Sequence, residues 1–122
     1  VTPEGELSLR IDLPGGRIGP GKIRLLEAIA REGSISAAGR AQGMSYRRAW
    51  ELVDALNRLL GIPVVATSSG GARGGGAALT PAGAALVADY RAIEAAARRA
   101  AAPRLRALAR RSGGGSRNAG TA

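Results

Sequence analysis

The sequence predicts a mainly α-helical domain with a small β-hairpin, and three observations carry that reading. Apolar residues recur at helical spacing in several separate segments. Gly and Pro stand where those segments must end. A glycine-rich run, Gly70–Gly76, joins two short stretches of β-prone residues.

The elements follow in order. Glu6–Leu13 alternates strictly, with Leu7, Leu9, Ile11 and Leu13 on one face, and predicts a half-buried, unpaired strand ended by Pro14-Gly15-Gly16. A first helix follows Gly19-Pro20-Gly21; its stripe is Ile23, Leu26, Ile29 and Ala30, with Leu25 at the edge, and Gly33 is its C-cap. Ser34 or Ser36 can N-cap a short second helix in which Ala37, Ala38 and Ala41 allow close backbone approach. Gly43 breaks the chain, and Ser45 caps a third helix that buries Ala49, Leu52, Val53, Leu56 and Leu59 or Leu60. Gly61 ends that helix and Pro63 forbids its continuation.

Val64–Thr67 and Ala77–Leu79 read as the arms of a hairpin whose tip is Ser69–Gly76. Thr80 as N-cap, with Pro81 at the first helical position, opens a long last helix. Its stripe is Leu86, Val87, Tyr90, Ile93 and Ala97. Pro103 kinks or interrupts it, and a basic segment with Leu105 and Leu108 leads into a tail expected to be disordered. The division expected is a domain over residues 1–102 and a basic tail over 103–122. Strand, three helices, glycine-tipped hairpin and long helix is the order of a winged helix-turn-helix with a long C-terminal dimerisation helix.

Composition narrows the function. The 122 residues contain neither Cys nor His. Disulfides, zinc sites of the usual kind and Cys or His catalysis are excluded. The acids are scattered without a paired constellation, so no enzyme, cofactor or metal is expected. No apolar run approaches the roughly 18–20 residues that span a bilayer, and residues 1–6 lack the features of a signal peptide, so a cytoplasmic protein without membrane contact is expected. The net charge of +9 points to a polyanionic partner. Seven of the 18 bases are arginines beyond residue 97, with no acid among them, which leaves eleven bases against nine acids in the rest of the chain. Bulk charge therefore indicates a basic tail, and an argument for DNA must come from pattern.

The pattern lies in the second and third helices, whose tight turn at Gly43-Met44 has helix-turn-helix spacing. In that motif the start of the second of the two helices enters the major groove. Here it reads Ser45-Tyr46-Arg47-Arg48. Arg can pair with a guanine edge or a phosphate, Tyr46 can hydrogen-bond or stack, and the Ser45 cap presents a positive helix end. The bland reading makes Arg47 and Arg48 a solvated face; the turn, the small-residue helix before it and the hairpin behind it favour DNA. Backbone contacts are assigned to Ser34 and Ser36 at the second helix and to Gly71, Arg73 and Gly74 on the wing, for which the alternative is a passive loop. Trp50 is assigned to core or helix–wing packing in preference to a base contact. The stripe Leu86, Val87, Tyr90, Ile93 and Ala97 exceeds what a small domain buries alone and is assigned to a homodimer interface.

Gly33-Ser34-Ile35-Ser36-Ala37-Ala38 through Gly43-Met44-Ser45 resembles the helix-turn-helix of LysR-type regulators. Ser45–Asn57, Gly74–Thr80, Gly83, Leu86 and Tyr90 resemble the molybdate-responsive ModE family more narrowly, over approximately residues 5–100. The resemblance implies a dimeric winged-helix regulator of molybdate uptake and molybdoenzyme genes, whose oxyanion site lies in separate C-terminal domains. The chain alone, with its Arg/Gly tail in their place, is therefore expected not to bind molybdate. The competing readings are a protein-interaction or dimerisation module and a nonspecific nucleic-acid binder acting through the basic tail.

Overall fold

The computed structural model describes residues 5–69 and 75–119, with side chains described as far as residue 112. The chain folds as β1 (Ile11–Leu13), β2 (Gly16–Ile18), α1 (Pro20–Glu32), α2 (Ile35–Ala41), α3 (Tyr46–Leu60), β3 (Val65–Ser68), β4 (Gly76–Leu79) and α4 (Pro81–Ala119). Two compact units are delimited, one over residues 9–91 and one formed by residues 5–8 with 92–119.

In the larger unit α1 is the central element, with α2, α3 and β4 packed against it. Ile23, Leu25, Leu26, Ala28 and Ile29 are all fully buried. Leu25 was expected at the edge of the stripe and Ala30 within it, yet Leu25 has no exposure and Ala30 faces solvent. Packing from several sides widens the buried face beyond what spacing alone indicates. Helices α1 and α3 end where glycine predicts, at Gly33 and Gly61, both left-handed. The core is completed by Ala38, Ala49, Val53, Leu56, Val64 and Tyr90.

Two antiparallel hairpins flank the helices. The second is the wing, in register Val65↔Leu79 to Ser68↔Gly76. The Ala77 amide ties it to the end of α1 by donating to the Gly33 carbonyl at 2.9 Å, and the Thr80 amide closes its base by donating to the Val64 carbonyl at 3.0 Å. Thr80 Oγ1 also accepts from the Gly83 amide and donates to the Pro63 carbonyl at 2.7 Å, so the cap expected there joins the start of α4 to the segment that leads into β3. A Cβ at Gly83 would fall well inside contact distance of the Val64 carbonyl oxygen, which is why a glycine is required at this approach.

The first hairpin corrects the unpaired strand expected over residues 6–13. Only Ile11–Leu13 is strand, and it pairs with Gly16–Ile18 from Ile11↔Ile18 to Leu13↔Gly16. Strand structure needs a hydrogen-bonding edge, and β2 supplies one only three residues long. In the smaller unit residues 5–7 instead lie against α4, bounding a cleft of about 330 Å³ with Arg98, Ala102 and Leu105.

Helix α4 passes through Pro103 and stays helical to Ala119, where a kink or an interruption is expected from sequence. Proline removes one backbone hydrogen bond, but the alanines at 95–97 and 100–102 are the strongest helix formers and support the turns before it. No helix among the described residues is long and apolar enough to cross a membrane.

Arg91 clamps Glu27 of α1 through two parallel hydrogen bonds, Nε to Oε2 at 2.9 Å and Nη2 to Oε1 at 2.7 Å. The hydrogen bond from Arg91, ahead of the opposing effect of burial, holds the Glu27 carboxyl below the ordinary glutamate range. A carboxyl whose folded-state pKa is depressed contributes fully above its unfolded-state pKa, and that contribution is lost as pH falls through the folded-state value. Glu27→Gln should therefore melt below the wild type at neutral pH, and the gap should close as the solution is acidified below the ordinary glutamate pKa. Thermal melts of the two proteins across pH measure this; a gap that does not change with pH would contradict it.

Candidate nucleic-acid interface

Helices α2 and α3 meet at a small-residue crossing. A Cβ on Gly39 would lie 3.3 Å from the Ala49 Cβ, 3.5 Å from the Met44 carbonyl oxygen and 3.6 Å from that of Ser45. The turn is closed by the Met44 amide donating to the Gly39 carbonyl at 2.9 Å and the Gly43 amide to that of Arg40 at 3.0 Å, with Gly43 at a φ of 70°. Gly39 therefore performs the close approach that composition assigned to the alanines of this helix, and Ala41 is exposed.

Both helices begin on capping serines. Ser34 Oγ accepts from the Ala37 amide at 3.0 Å, which settles the choice between Ser34 and Ser36. Ser36 Oγ instead accepts from Arg40 Nη1 at 2.8 Å. Ser45 Oγ accepts from the Arg48 amide at 3.0 Å. The cap starts α3 at Tyr46 and so places Tyr46, Arg47 and Arg48 on its first turn, all exposed. Tyr46 is 58% exposed. Its ring meets Trp50 edge-on with centroids 6.2 Å apart. Trp50 is half-buried against the core, consistent with its packing assignment.

Tyr46 and Trp50 form one wall of an open groove of about 470 Å³ that runs between the start of α2 and the wing. Ser34, Ser36 and Arg40 line it from α2; Thr67, Ser68 and Ser69 line it from β3 and its end. The groove thus gathers hydroxyls, two aromatic rings and a guanidinium. Gly71, Arg73 and Gly74, the wing residues named from sequence, lie outside the described residues.

Arg47 and Arg48 share one acid. Arg47 Nε lies 3.5 Å from Glu51 Oε2, and Arg48 Nη1 lies 3.4 Å from Glu51 Oε1. Such exposed pairs are worth little and are readily exchanged. At the start of α1, Lys22 Nζ donates to the Arg17 carbonyl at 2.8 Å. Burial first, then the Arg17 and Arg48 charges, hold the Lys22 ammonium below the ordinary lysine range. Arg40, Thr67–Ser69, Arg17 and Lys22 were not singled out by sequence. Arg40 was available to it, one turn beyond Ser36 on the helix already assigned to the motif; the others stand near α3 only once the chain has folded.

The stripe assigned to dimerisation divides. Tyr90 is 1% exposed. Its hydroxyl donates to the Leu9 carbonyl at 2.7 Å, so it serves the chain's own core. Leu86 and Val87 are half-buried against the same core. Ile93 is 50% exposed and Ala97 half-buried.

Comparison with known proteins places this geometry. Residues 21–84 match the family of bacterial regulatory helix-turn-helix proteins of the lysR type. The molybdenum-pterin-binding protein MopB of Rhodobacter capsulatus is 54% identical over 85 residues, covering 70% of this chain and 32% of that protein. The molybdenum transport protein ModE of Azotobacter vinelandii is 46% identical over 88 residues, covering 72% and 32%. The dual regulator ModE of Escherichia coli K12 is 41% identical over 71 residues, covering 58% and 27%. The chain thus spans about a third or less of the length of these relatives. Among solved structures, a CbnR_DBD-DNA complex superposes with a TM-score of 0.54 at 30% identity, covering 72% of this chain and 94% of that one.

The cap geometry can be tested without any ligand. Ser45→Ala should lower stability by about 1 kcal/mol, since the Arg48 amide loses its acceptor, whereas Ser45→Asp should retain it. Urea denaturation followed by circular dichroism measures both. Equal stability of the alanine variant and the wild type would contradict the cap.

Proposed function

Because the chain belongs to the bacterial regulatory helix-turn-helix proteins of the lysR family and carries a DNA-binding domain of the ModE type, we propose that it is a sequence-specific transcription regulator. It docks the first turn of α3 in the major groove of double-stranded DNA and performs no catalysis. The observation that carries this reading is the exposed row Tyr46, Arg47 and Arg48 at a capped helix start, beside a groove bounded by the wing. Arginines here can exchange their shared Glu51 for guanine edges or phosphates, while Ser34, Ser36, Arg40 and the wing (Gly71, Arg73 and Gly74 included) hold the backbone.

The relatives' names support a regulon concerned with molybdenum, namely genes of molybdate uptake or molybdoenzymes. A homodimer fits this role, with operator half-sites spaced by a helical turn or its multiples. Of the proposed dimer stripe, Ile93 is the large exposed residue, with Ala97 one turn on; Tyr90 is taken up by the core of its own chain.

Loss of a base contact should cost about 1–3 kcal/mol on the cognate duplex and relax preference at one or two base pairs. Binding isotherms for Arg47→Ala, Arg48→Ala and the double variant, on a duplex enriched by the wild-type chain from a random pool and on its scrambled counterpart, measure this. A double variant with full affinity and full preference would overturn the assignment of α3.

A further inference from the structure

We infer that Arg17 and Lys22, beside Arg48, form a second DNA-phosphate site, on the flank of α3 away from the wing groove. The inference rests on the proposed docking of α3 and adds a contact which the helix-turn-helix and the wing do not provide.

The placement follows from the path of the chain. The turn of the first hairpin packs on the far end of α3, where a Cβ at Gly15 would lie 3.2 Å from Leu59 Cδ1. From there β2 and the start of α1 run back along α3, until Lys22 comes within electrostatic reach of Arg48 on its first turn. Ile18, buried between these points, anchors that path. Arg17 is exposed, and its carbonyl takes one of the three N–H donors of Lys22, leaving two for a ligand.

The neighbouring acids do not neutralise the cluster. Asp12 stands opposite Arg17 in the hairpin register, but its carboxylate is held by Arg10 at 3.1 Å. Glu51 is shared between Arg48 and Arg47. Arg17 and Arg48 thus both act on Lys22, whose charge burial and that repulsion already disfavour. An anion with several acceptor oxygens relieves that repulsion, and a DNA phosphate is such a group.

Groove dimensions say which phosphate. A helix with its side chains is about 10–12 Å across and the major groove about 12 Å wide, so a helix lying in it has a phosphate wall close on each side. Tyr46 and Trp50 face the wing side. Arg48, two residues on from Tyr46, points about 200° round the helix, toward the opposite wall. Arg17 and Lys22 extend that side. The wing groove and the hairpin cluster would hold the two strands between them, and the β1–β2 hairpin would gain a role in binding.

The test uses the full chain in fluorescence-anisotropy titrations on the enriched duplex and its scrambled counterpart, over a range of salt concentrations. Arg17→Ala and Lys22→Gln should each weaken binding to both duplexes about equally, by about eight-fold at about 0.1 M salt, with the slope of log K against log salt shallower by about 0.9. Lys22→Gln keeps a donor for the Arg17 carbonyl and loses only charge; Lys22→Arg should restore both affinity and slope. Wild-type affinity and slope in Lys22→Gln and Arg17→Ala would overturn the second site. If Arg47→Ala with Arg48→Ala still abolished preference, the docking of α3 would stand without it. A wild-type chain that bound neither duplex would overturn both.

Discussion

Helix α2 reaches α3 only because neither presents more than a methyl group where they cross, and the candidate surface depends on that approach. The hydrogen on Gly39 and the methyl of Ala49 are what fit there; added bulk in such a packed crossing costs about 1–3 kcal/mol and forces its neighbours to shift. The short turn through Gly43 then starts α3 at Ser45, whose cap decides which three residues stand on its first turn. On the other side the Ala77–Gly33 hydrogen bond ties the wing to the turn that precedes α2. Groove, wing and exposed arginines are thus positioned by one crossing and two short turns, all backed by the buried face of α1.

Electrostatics at this surface is local. Much of the net positive charge comes from the last quarter of the chain, and the rest is nearly balanced. What distinguishes the start of α3 is an excess of arginine over acid within one turn and a further pair of bases from β2 and the start of α1. The Glu51 pairs are solvent-exposed and screened, so they hold the guanidinium groups in the free protein at little cost to their release.

Much of this was legible in the sequence because it is encoded locally. Gly33 and Gly61 mark helix ends by their left-handed conformation, Ser45 and Thr80 mark helix starts by a side-chain acceptor, and the stripe of α3 at Val53 and Leu56 is a spacing. Elements that depend on distant partners were not legible. Gly16-Arg17-Ile18 has no alternation to betray a strand and is one only because Ile11–Leu13 pairs with it. The period of α4 shows that one face is apolar but not what covers it, so Tyr90 was assigned to a second copy although Leu9 and the core of its own chain take it up. Lys22 gains its significance from a residue 26 positions away. The helical continuation past Pro103 reflects alanine-rich flanks, which outweigh a residue read as a kink or an interruption.

The central claim is that α3 enters the major groove, and methylation interference tests it most directly. Dimethyl sulfate marks guanine N7 in the major groove and adenine N3 in the minor groove, so one experiment on the enriched duplex distinguishes the two faces of DNA. The account predicts that N7 methylation at one or a few guanines blocks binding by the wild-type chain, and that the block at one of them disappears with Arg47→Ala or Arg48→Ala. Interference confined to adenine N3, or a pattern of guanine interference identical in wild type and both variants, would contradict it.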